Sequence, residues 1–96
     1  MSQEAISWAT NQTNLSGRAK LVLIMLSVLA DDENYFCSPT KRELAFHTGL
    51  SIGSVSMSLK ELKTANLIKK KPRYKEFGGQ DSNSYWILVD KNEVVL

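Results

Sequence analysis

Ninety-six residues suffice for one hydrophobic core and leave no room for a separate catalytic lobe beside it. With 43% hydrophobic and 23% charged residues the composition is globular, which argues against a disordered or membrane-embedded chain. The net charge of +2 hides a division: residues 41 to 75 hold nine basic side chains against Glu43 and Glu61, a local charge of +7, and the rest of the chain carries −5.

From the N-terminus, Ile6, Trp8 and Ala9 form a short apolar cluster before the polar stretch Thr10 to Asn14, which predicts a helical turn that docks Trp8 on the core. No signal-peptide pattern precedes it, so a cytoplasmic location is expected. Ser16 suits the N-cap of a helix running to about Ala30. On it Ala19, Leu23, Leu26 and Ala30 share one face, which Val22, Met25 and Leu29 widen. The apolar run Leu21 to Ala30 falls well short of the roughly 18 residues of a membrane span and reads as a core helix. Asp31 to Asn34 reads as a turn, and Tyr35, Phe36 and Cys37 as a very short strand that needs a partner elsewhere. Cys37 is the only cysteine, so no internal disulfide can form. With His47 it offers at most two soft ligands where structural zinc sites take about four. A buried, inert thiol is expected, with no metal and no cofactor.

Thr40 and Glu43 have capping-box spacing, which starts a second helix at Lys41 with Leu44 and Ala45 inward and an end at Gly49. Gly49, Leu50 and Ser51 then form a tight turn. Ser51 caps a third helix from Ile52 to about Ala65, with Val55, Leu59 and Leu62 at helical spacing. Two helices joined by a glycine-containing turn form a helix-turn-helix. Asn66 marks the exit, Leu67 and Ile68 return to the core, and the basic run Lys69 to Lys75 is expected to be extended. Gly78 and Gly79 supply a turn before the strand Ser84 to Val89, making a hairpin. The tail Lys91 to Leu96 ends on Val94, Val95 and Leu96, which would suit packing on the domain, a second copy, or a following segment. The expected fold is α+β and mainly α: a three-helix core with a short strand and a C-terminal β-hairpin wing, one domain over 1–96, which would also suit the N-terminal domain of a longer protein.

From about Trp8 to Leu88 the chain resembles the winged helix-turn-helix domains of plasmid and phage replication initiators and related small transcriptional regulators. The likeness is carried by Trp8 and its polar linker, the apolar helix Arg18 to Ala30, Ser38 to Ala45, and the turn Thr48 to Ser51. It continues through Val55, Leu59, Leu62 and the exit Ala65 to Ile68 into Gly78, Gly79, Ser82, Asn83 and Tyr85 of the wing and its return strand. Relatives usually carry arginine or another long polar residue where this chain has Ile52 and Gly53. They often have arginine at the wing tip, where this chain has Gln80 and Asp81, which weighs against strong arginine-based reading of guanine.

The resemblance implies double-stranded DNA as the partner, with the third helix presenting its N-terminal half to base edges in the major groove. Its outward residues are expected to be Gly53, Ser54, Ser56, Met57, Lys60 and Lys63. Serines can hydrogen-bond to several bases, and Met57 could meet a thymine methyl group, so sequence would be read only modestly. Backbone and wing contacts are expected from Thr40, Lys41, Arg42, Lys69, Lys70, Lys71, Arg73, Lys75 and Gln80, because cations along a hairpin match phosphates along a duplex. Lys41 and Arg42 oppose the dipole of their own helix, which favours an external partner. The plain alternative for the basic run is a solubilising face. Tyr74, Phe77 and Tyr85 could stack on unpaired bases, but alternation favours one of Tyr85 and Trp86 on the core and Phe77 at an exposed tip. His47 suits capping or the surface better than a pH-sensitive contact.

Asp31, Asp32 and Glu33 form the one acidic cluster, which reads as a solvated turn. No phosphate loop, nucleophile motif or metal-ligand spacing is present, so no enzymatic activity is expected. A single small module makes few contacts, so a homodimer or several copies on DNA is expected, with no membrane partner. The role would be transcriptional regulation or origin binding. The alternative is a winged helix acting mainly as a protein-docking module, favoured by the arginine-poor third helix and the apolar tail.

Overall fold

In a computed structural model that describes residues 3–71 and 84–89, four helices and three short strands follow in the order α1 (Gln3–Thr10), α2 (Gly17–Leu29), β1 (Phe36–Cys37), α3 (Lys41–Thr48), α4 (Ile52–Thr64), β2 (Ile68–Lys71) and β3 (Ser84–Ile87). Three of the helices begin at hydroxyl caps. Ser16 Oγ accepts from the Ala19 N–H at 3.2 Å, Thr40 Oγ1 from the Glu43 N–H at 3.0 Å, and Ser51 Oγ from the Ser54 N–H at 3.1 Å. The Glu43 carboxylate returns the favour by accepting from the Thr40 N–H at 2.8 Å, closing the capping box. Each bond satisfies a donor that the first helical turn leaves without a partner.

The ends are equally local in origin. Gly49 closes α3 in the left-handed region, φ +78°, where a side chain would be strained. Asn66 does the same after α4 at φ +63°, a conformation asparagine tolerates better than most residues. There the Leu67 N–H donates to Leu62 O and the Asn66 N–H to Lys63 O, both at 3.0 Å, the two-bond closure that satisfies the last carbonyls.

The middle of α2 forms the centre of the core. Ala19, Val22, Leu23 and Leu26 are fully buried, and α2 packs against α1, α3 and α4 in turn. Leu29 departs from the expected apolar sector, being 41% exposed in the last turn. The N-terminal segment is a larger element than a single helical turn. Ala5, Trp8 and Ala9 bury one side of a full helix against α2, and the Tyr35 hydroxyl donates to the Glu4 carboxylate to tie α1 to the segment just before β1. Burial and that hydrogen bond push the Tyr35 hydroxyl up to about 12.

The sheet is antiparallel in the order β1-β3-β2, so the return strand β3 is central. It pairs Phe36 with Trp86 and Cys37 with Tyr85 on one side, and Ile68 with Ile87 and Lys70 with Tyr85 on the other. The short strand therefore finds its partner in the second strand of the hairpin, about 50 residues later, a link that period-two alternation cannot reveal. Cys37, Ile68, Tyr85 and Ile87 face the helices and are buried, whereas Phe36 and Trp86 share the other face with ring centroids 5.1 Å apart. At 1% exposure Tyr85 belongs to the core and has no open face for stacking on bases. Burial likewise raises the Cys37 thiol to about 12, which keeps it protonated and unreactive.

The acidic cluster is a turn: Asp31 Oδ1 accepts from the Glu33 N–H at 2.7 Å and the Asn34 N–H at 3.4 Å. Among the described residues no three His, Cys, Asp or Glu side chains gather where a metal could sit, and no helix is long and apolar enough to cross a membrane. Tyr74, Phe77, Gly78, Gly79, Asp81 and the tail 91–96 lie outside the described residues.

Candidate nucleic-acid interface

Helix α4 decides what the domain can present. Val55, Ser58, Leu59 and Leu62 bury one side of it against α2, α3 and the sheet. That leaves Gly53, Met57 and Lys60 on the opposite side, exposed to solvent, with Met57 60% exposed. A Cβ built on Gly53 would meet only Ser51 Oγ, at 3.9 Å, so nothing inside the fold requires a glycine there. Ser54 lies off this open face. It is half-buried, with its N–H and Oγ both 3.1 Å from Ser51 Oγ, and so completes the cap.

Two depressions flank the open face. One, of about 330 Å³, brings Ser56, Lys60 and Lys63 of α4 together with Lys41 from the first turn of α3 and Lys70 from β2. Cations from three elements thus converge on one flank of α4. The ammonium of Lys70 is held below its usual range, first by burial and then by repulsion from Lys41 and Lys63. The other depression, of about 500 Å³, lies on the opposite flank, where Arg18 and Asn14 join Met57, Lys60 and Glu61.

Arg18 was not foreseen from the sequence. It is 42 positions from Lys60 along the chain, and only the packing of α2 on α4 makes them neighbours. The same packing engages the carboxylate on this flank. Glu61 accepts from the Ser16 N–H and the Ser16 hydroxyl, both at 2.9 Å, and these bonds, with Arg18 nearby, lower its pKa.

The remaining expected contacts divide. Arg42 is exposed on α3, but the Thr40 hydroxyl is committed to the capping box. Within the described part of the basic run, strand alternation separates two members: Lys70 points toward α4 and Lys69 lies exposed on the opposite sheet face, across from Trp86. Lys71 pairs in register with Ser84. Arg73, Lys75 and Gln80 lie outside the described residues. His47 is exposed at the end of α3, its ring edge-on to Phe46 with centroids 5.3 Å apart. Phe46 itself is 82% exposed, a feature the sequence pattern did not single out.

A family of helix-turn-helix domains matches residues 13–68, from the linker before α2 through α4 to the start of β2, which is more than half of the chain. The chain belongs to the helix-turn-helix domain family. Among solved structures this helix-turn-helix domain is similar to a possible transcriptional regulator from Methanosarcina mazei Go1. The TM-score is 0.52 at 19% identity, over 94% of this chain and 67% of that one. At that identity the likeness establishes the fold, a mainly helical winged helix-turn-helix with a three-stranded sheet. No curated protein matches the sequence.

Proposed function

We propose that this helix-turn-helix domain binds duplex DNA, without catalysis, as a sequence-dependent regulator of transcription or a recogniser of a replication origin of plasmid or phage type. One observation carries the reading: lysines from α3, α4 and β2 converge beside α4, whose open side carries Gly53, Met57 and Lys60. In the proposed arrangement Gly53, Ser56 and Met57 approach base edges in the major groove, and Lys41, Lys60, Lys63, Lys70 and Arg42 meet the backbone. Gly53 and Met57 suit close approach and thymine methyl contact better than arginine-style guanine reading. Ser54 contributes by holding the helix start in place. The likeness to a possible transcriptional regulator supports the regulatory role. Two copies on paired half-sites would double the few contacts that one module makes.

Phe46, Ile52 and Met57 favour a second reading, protein docking, because three exposed apolar side chains lie on the helix-turn-helix itself. Salt separates the two readings. DNA affinity should fall steeply between about 50 and 200 mM salt, because each neutralised phosphate contributes a slope of roughly 0.9. Lys60→Ala should lower that slope by about one, measured by fluorescence anisotropy with a labelled duplex. Affinity independent of salt, or a slope unmoved in Lys60→Ala and Lys63→Ala, would remove α4 from the interface.

A further inference from the structure

Lys70 occupies a position that ordinary sheet design would fill with an apolar residue. On β2 it shares the inward face with Ile68, and its register partner Tyr85 is almost completely buried. The side chain is half-buried in the same cavity as Lys41, Lys60 and Lys63, with Ser56 at the wall. Like charges gathered in a partly desolvated cavity repel one another, and the lowered ammonium pKa of Lys70 registers both the burial and the repulsion. Among the described residues the charges acting on Lys70 are those of Lys41 and Lys63, with no carboxylate to offset them. An anion with several acceptor oxygens, such as a phosphate group, would relieve that repulsion and use the donors present.

We propose that the cavity between the start of α3, the Ser56–Lys63 flank of α4 and β2 is a seat for a phosphate group, with Lys70 as its innermost cation. The phosphate belongs either to the DNA backbone or to a free phosphorylated ligand. In the first case the seat rests on the duplex-binding reading and deepens it: one backbone phosphate locks the register of α4 in the groove. In the second it is an independent effector site whose occupant competes with DNA for Lys60 and Lys63. An inward lysine on an edge strand has one other known use, preventing edge-to-edge association, and the test separates it.

The decisive comparison is Lys70→Met, which keeps the stem and fits an inward position, against wild type. Each is titrated with a mixed-sequence duplex across a salt series and, separately, melted with and without sodium pyrophosphate. A ligand that binds only the folded state raises Tm. Duplex affinity several-fold weaker in Lys70→Met, with a salt slope smaller by about one, supports a backbone phosphate. A pyrophosphate-dependent rise in Tm that wild type shows and Lys70→Met lacks supports a free ligand, and it does so even if wild type binds no duplex, in which case the DNA reading alone falls. Duplex binding by wild type with affinity, slope and pyrophosphate response all unchanged in Lys70→Met overturns the seat and leaves the DNA reading standing. Sedimentation of both proteins completes the test. If Lys70→Met self-associates while its phosphate responses match wild type, the lysine guards the edge and the seat is overturned. Lys70→Gln repeats each arm should the methionine variant fold poorly.

Discussion

Helices α2 and α4 are both thirteen residues long and both start at a serine cap, yet they do opposite work. α2 is apolar nearly all round and is packed on by α1, α3 and α4, so its sequence is spent on the core. α4 keeps its apolar residues on one side and leaves Gly53, Met57 and Lys60 open, with cations gathered along its flank. The difference shows that one helix type serves as scaffold or as presenting surface according to how many sides its neighbours cover.

That contrast can be broken most forcefully by truncating matched apolar side chains. Leu26→Ala in α2 should cost about 2–5 kcal/mol, because a fully buried leucine leaves a cavity. Met57→Ala in α4 should stay within about 0.5 kcal/mol, since that side chain is mostly in solvent. Urea denaturation of the two variants checks both, and equal losses would mean that α4 is covered after all.

A smaller effect is expected where the two helices are joined. Ser16→Ala removes the α2 cap and one of two hydrogen bonds to Glu61, for a loss of about 1 kcal/mol at neutral pH from the cap alone. The pH dependence has a definite sign. Glu61 has a folded pKa below its ordinary 4.5, so its contribution is present above that value and is lost as pH falls through the lower folded one. Thermal melts from pH 6 downward should therefore show a smaller acid destabilisation in Ser16→Ala than in wild type.

The finest distinction concerns Gly53. Alanine there meets no close neighbour and should stabilise the helix by roughly 0.5–1 kcal/mol. If α4 enters a groove, the same methyl group should weaken duplex binding, so stability and affinity move in opposite directions. A variant that gains in both would show that no ligand approaches the backbone at this position.

Much of this architecture was legible because it is written in short-range chemistry. The caps at Ser16, Thr40 and Ser51, the left-handed stops at Gly49 and Asn66, and the apolar spacing of α2 and α4 all involve residues a few positions apart. The candidate site was legible only in outline: Lys41, Lys60, Lys63 and Lys70 were expected on one DNA-facing surface, but which of them share a cavity was not. Ser54 and Thr40 looked like ligand-facing hydroxyls, whereas the Thr40 hydroxyl caps α3 and the Ser54 hydroxyl accepts from that of the α4 cap Ser51. Arg18 carried no local signal at all.

The amino-acid order alone therefore determined where α2, α3 and α4 start and stop and which side turns inward, since those choices follow from backbone donors and side-chain period within one or two turns. Tertiary structure decided the pairing of β1 with β3, the division of Lys69 from Lys70, and the capture of Glu61 by Ser16 across 45 positions. These depend on register and packing between distant segments, and no spacing rule along the chain encodes which distant segment will be met.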